Sequence, residues 1–117
     1  MTKFTKLFML CTLSLYANEA DVLNATSSCD ANMNCSFNVT IKHNDTGWKH
    51  YVNKYEILSS SGAILGTRVL FHPHVNEQPF TRSISNVKVP KKIKSVVVRA
   101  YDSVHEYGGK EFTLELK

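Results

Sequence analysis

Residues 35–42, CSFNVTIK, alternate apolar and polar without a break: Cys35, Phe37, Val39 and Ile41 take one phase, and Ser36, Asn38, Thr40 and Lys42 the other. A helix would scatter these side chains around its circumference, whereas a strand puts every second residue on one face. The signature recurs along the chain. Over residues 51–58, Tyr55 and Ile57 oppose Lys54 and Glu56. Ser59-Ser60-Ser61-Gly62 then forms a hairpin turn, with Gly62 free to take positive φ, and residues 63–71 return as the partner strand. Residues 80–89 are extended, but Ile84 and Val87 fall out of step, which marks a bulge. Val96, Val98 and Ala100 share one face of residues 95–102, and after a Tyr107-Gly108-Gly109-Lys110 turn Phe112, Leu114 and Leu116 alternate to the end. No amphipathic helical run interrupts about seven short strands, which predicts an all-β, antiparallel, immunoglobulin-like β-sandwich.

The first residues read differently. Lys3 and Lys6 precede the short apolar stretch 7–17, LFMLCTLSLYA, which ends in a small residue. That is the pattern of a cleaved secretory signal, too short to span a membrane. Cleavage is expected after Ala17, with Ala20 as the alternative, leaving residues 18–117 as one domain in the periplasm or secreted medium. Cys11 sits in mid-core behind bulky Leu10, a poor setting for lipid attachment. Without Lys3 and Lys6 the formal charge falls from +4 to +2. The remaining basic cluster, Lys88, Lys91, Lys92 and Lys94, flanks a turn and lacks the interleaved aromatics of a nucleic-acid surface. Loss of the leader also leaves two cysteines, Cys29 and Cys35. Five residues separate them, a spacing that suits a hairpin, so a disulfide is expected in an oxidising compartment. The Asn-x-Ser/Thr triplets at Asn24, Asn34, Asn38 and Asn44 fit a segment simply rich in those residues.

The chemistry-bearing stretch is residues 71–80, FHPHVNEQPF. On a strand, His72 and His74 would point to one face about 6.6–7 Å apart and converge on one ion. Glu77 is near in sequence, and His105, just before Gly108-Gly109, is the best distant partner. Three imidazole nitrogens and a carboxylate suit Cu²⁺ or Zn²⁺. The plainer reading is two surface histidines on an edge that Pro73 protects from foreign strands; a pH-sensitive patch is a further one. Trp48, His50 and Tyr51, with Arg82, form a second candidate, a loop surface for a ligand; Trp48 reads otherwise as a lid on one end of the core. His43 continues the inward phase of Phe37, Val39 and Ile41 and reads as a satisfied buried histidine. Asp102, Ser103 and His105 are hydrolase residue types, but neighbours in sequence rarely make a triad and no nucleophile elbow exists. Arg82 and Arg99 are placed to pair with Glu56 or Glu106.

Three resemblances add to this. Val87 to Pro90 followed by Val96 to Tyr101 resembles the late strands of fibronectin type III modules. Gly47-Trp48-Lys49-His50-Tyr51, the run from His72 through Ser83, and residues 102–109 together resemble a group of small exported bacterial proteins, which implies periplasmic origin and no particular chemistry. Gly66, His72, His74 and Glu77 resemble the first cupin motif. The Glu77 spacing is short by at least one residue, however, and the second cupin motif is missing. The expectation is therefore an exported, non-catalytic binding module that uses the loops at one end to contact an unidentified protein or envelope component. A Cu- or Zn-binding protein is the alternative, and a cupin-like metalloenzyme the third.

Overall fold

The computed structural model describes residues 18–116, and the leader expected over residues 1–17 lies outside them. Seven strands follow in order: β1 (Asp21–Cys29), β2 (Asn34–Lys42), β3 (Val52–Ser59), β4 (Ile64–Val69), β5 (Phe80–Lys88), β6 (Ser95–Asp102) and β7 (Phe112–Glu115). They form two antiparallel sheets, ordered β1-β2-β5 and β4-β3-β6-β7, packed as a β-sandwich. Among the described residues no helix is long and apolar enough to cross a membrane.

The alternating phases meet between the sheets. Phe37, Val39 and Ile41 of β2 face Tyr55 and Ile57 of β3 and Val96, Val98 and Ala100 of β6, all in one buried cluster. Each fully buried Val, Ile or Phe among them contributes about 1.5–3 kcal/mol by leaving water. Tyr55 spans the core: its ring is fully buried and its hydroxyl donates to the Arg82 carbonyl of the opposite sheet at 2.8 Å. The bulge expected near Ile84 and Val87 is present. Ile84 pairs with Phe37 and Val87 with Cys35, so β5 carries one extra residue, and Asn86 there has φ 60°. Cys29 and Cys35 are opposite each other in the β1–β2 register and are disulfide-bonded. The sheets are joined at one edge where Val22 N–H donates to the Lys110 carbonyl at 2.8 Å.

One pole concentrates strand ends. β2 finishes at Lys42, and residues 43–51 cross to the other sheet to start β3. Antiparallel pairing sets Val52 beside Asp102, the last residue of β6. Gly47, with φ 143°, turns the crossing back so that His50 bridges to it, and the chain after β6 closes a tight turn in which Asp102 bridges to Glu106. His43 and His50 of the crossing and Asp102 and His105 of the turn are thereby brought from two separate stretches to one place.

Candidate functional site

His43 and Asp45 keep the inward phase of β2 past its end, and Asp102 keeps that of β6; all three are buried. Apolar neighbours on that phase stabilise the fold by burial, whereas these polar ones must find partners or a ligand. Asp45 is the hub of one half. One of its oxygens binds His43 Nδ1 in a very short contact and lies 3.3 Å from the Val52 N–H; the other accepts from the His74 N–H at 2.7 Å. Burial works to raise its pKa, but these hydrogen bonds and the His43 ring outweigh that and hold the carboxyl below the usual range. Gln78 completes the frame, accepting from the His43 N–H and donating to the His74 carbonyl, both at 2.9 Å.

With Nδ1 engaged by Asp45, His43 presents Nε2 to the interior of the site. That atom lies 3.2 Å from His50 Nε2 and 3.8 Å from Asp102 Oδ2. His50 Nε2 is 3.2 Å from Asp102 Oδ1, and His105 Nδ1 is 3.5 Å from Asp102 Oδ2. Asp102 itself is held by the Val104 and His105 N–H groups, which donate to Oδ1 at 2.8 and 2.7 Å. One ligand atom from each of His43, His50 and Asp102 falls within 4.8 Å of the others. A cation with ~2.1 Å bonds in tetrahedral geometry holds its donors about 3.4 Å apart, and the separations here run from 3.2 to 3.8 Å. Asp102 Oδ2 and His105 Nδ1 are shut off from solvent and have no hydrogen-bond partner. The His43 and Asp102 side chains are wholly buried, while those of His50 and His105 are 17% and 31% exposed, so the site opens on one side.

The residues singled out in the sequence take varied positions. β4 stops at Val69, ahead of His72, and Pro73, which can neither donate a ladder bond nor leave His72 unrestricted, sits in the loop that follows. His72 and His74 therefore share no strand face. His72 is exposed, and its Nδ1 contacts the Pro73 carbonyl at 3.0 Å; His74 is buried and stacked on Phe80. Their ring centroids are 4.6 Å apart. Burial, then the nearby Arg82 and His72 charges, push the His74 pKa down. Glu77 receives Arg82 with both oxygens, at 2.9 and 3.2 Å, and that pairing lowers its pKa. His105 joins His50 and Asp102, its ring centroid 5.0 Å from that of His50. Trp48 is 67% exposed and meets Tyr51 edge-on at the rim. Ser103 serves the turn: its hydroxyl donates to the Lys49 carbonyl and accepts from the Tyr51 N–H, at 3.2 and 3.1 Å. Arg99 pairs with Glu56 at 2.8 Å on the outer sheet face, away from these groups.

The sequence pattern assigns no role to Asp45, and none as ligands to His43 and Asp102. The signal in the sequence is the polar continuation of an inward phase, past the end of β2 at His43 and Asp45 and onto the last residue of β6 at Asp102.

A protein from Halomicrobium mukohataei, named "Putative lipoprotein", is 35% identical over 104 residues, 89% of this chain and 51% of that protein. The chain thus spans about half the length of the relative it matches. No family model and no solved structure matches the chain.

Proposed function

We propose that this is an exported transition-metal-binding module, with Zn²⁺ or Cu²⁺ held by His43 Nε2, His50 Nε2, His105 Nδ1 and Asp102. The observation that carries the reading is the pair of buried, unpartnered atoms, Asp102 Oδ2 and His105 Nδ1, beside two imidazoles at ligand spacing. Three nitrogens and one carboxylate oxygen form a donor set that both ions accept. Asp45 supplies the outer hydrogen bond that orients a ligating imidazole. Export is supported by the leader pattern, by the Cys29–Cys35 disulfide and by the name of the relative. Exposed Trp48, Phe71, Val75 and Val104 on the loops around the site favour a second role, contact with a protein or envelope component.

Calorimetric titration of the protein with Zn²⁺ and Cu²⁺ tests the ligand set. One ion should bind per chain. His43→Ala and His105→Ala should weaken it at least tenfold, while His72→Ala leaves it unchanged. Loss of binding in His72→Ala with none in His43→Ala would move the site to His72, His74, Glu77 and His105.

A further inference from the structure

Residues 18–20 are built into the wall of this site. Asn18 Oδ1 accepts from the Asn44 N–H at 2.8 Å, and Asn18 Nδ2 donates to the Asn44 carbonyl at 3.0 Å. Asn44 stands between His43, a ligand in the reading above, and Asp45, which orients it. The same Asn18 nitrogen lies 3.4 Å from Nδ1 of His50, a second ligand. Asn18, Glu19, Asp21, Lys42, His43 and Asn44 together line a cleft of about 280 Å³. Two residues on, Ala20 is 1% exposed in the core, and a Cβ on Gly109 would overlap its carbonyl. A chain lacking residues 18–20 would lose both the clamp on Asn44 and a core position.

We infer that the leader is removed between Ala17 and Asn18, and that the new terminal residue, Asn18, is a positioning element of the metal site. Of the two small residues that suit a signal cut, Ala17 leaves the clamp intact and Ala20 destroys it. In the cut, water adds across the Ala17–Asn18 peptide bond: its hydroxyl completes the Ala17 carboxylate and its proton the Asn18 amine. The carboxamide then holds the His43–Asp45 segment through two backbone hydrogen bonds, as outer-shell partners hold ligands elsewhere, where their loss weakens metal binding about 10–100-fold. The positioning claim rests on the metal reading above, whereas the cut site does not.

Two measurements test it. The full chain, leader included, is expressed in an exporting host and the mature protein is weighed. A mass beginning at Asn18 is expected; one beginning at Asp21, or at an acylated Cys11, overturns the inference. Zn²⁺ and Cu²⁺ salts are then titrated into chains beginning at Asn18, at Asp21, and at Asn18 with Asn18→Ala. The substituted chain keeps Ala20 and so separates positioning from folding. It should stay folded metal-free, melting within a few degrees of the unaltered chain, bind about tenfold more weakly and show an altered Cu²⁺ electron-paramagnetic spectrum, with partial recovery in Asn18→Asp. Equal affinity and an identical spectrum overturn the positioning role while leaving the metal reading standing. Absence of binding in the unaltered Asn18 chain overturns the metal reading and the positioning role with it.

Discussion

Asp102→Asn separates the metal reading from a purely structural one, because the two side chains have the same shape. The amide oxygen still accepts from the Val104 and His105 N–H groups, which lie 2.8 and 2.7 Å from Oδ1. The turn after β6 should therefore survive. What changes is the atom 3.8 Å from His43 Nε2 and 3.5 Å from His105 Nδ1, where an NH₂ replaces a carboxylate oxygen. Structural Zn²⁺ sites bind with about 10–16 kcal/mol, so one ligand of four is worth roughly 3 kcal/mol, or about two orders of magnitude in Kd. At a metal concentration of about 100 times Kd, binding stabilises the folded protein by roughly 2.7 kcal/mol. In a domain of about 100 residues that raises the melting temperature by roughly 11–22 °C. With Kd raised about a hundredfold the gain falls to roughly 0.4 kcal/mol, a rise of about 2–3 °C. The assay is thermal unfolding of both proteins with and without Zn²⁺. The metal-free proteins should melt within a few degrees of each other. A variant that keeps the full metal-induced shift, or an unaltered protein with none, would refute the reasoning.

Two further outcomes follow from the packing and the ionisable groups. Tyr55→Phe should lower the unfolding free energy in urea by about 1–3 kcal/mol, since it removes the cross-core hydrogen bond to the Arg82 carbonyl; a change under about 0.5 kcal/mol would mean that carbonyl finds another donor. Metal-free stability should also fall in two stages on acidification. His74 has a folded pKa below the 6.5 of the unfolded chain, so from that pH downward the unfolded state takes up a proton that the folded state resists. Asp45 has a folded pKa below 3.8, so its contribution is complete above that value and lost as pH falls through the folded one. Urea unfolding from pH 8 down to about pH 2 follows both stages, and His74→Leu should abolish the upper one alone; an upper stage unchanged in that variant would remove His74 as its cause.

Strands are local, and a strand's period of two is written in its own residues. β2, β3, β6 and β7 were thus legible wherever one face had to be apolar, and so was the bulge in β5, because two core residues sat out of phase. β1 was harder: its buried residues, Val22 and Ala25, are three apart across a register shift between Val22 and Asn24, so no alternation marks it and only the cysteine spacing hinted at a hairpin. His72 and His74 drew attention because they are close in sequence, yet with β4 ended at Val69 one imidazole lies outward and the other stacks on Phe80. The grouping of His43, His50, Asp102 and His105 has no local trace of that kind. It arises because β2 lies in one sheet and β3 and β6 in the other, and because antiparallel pairing sets the start of β3 beside the end of β6. Periodicity can say that His43 and Asp102 face inward; only the packing of the sheets can say that they face each other.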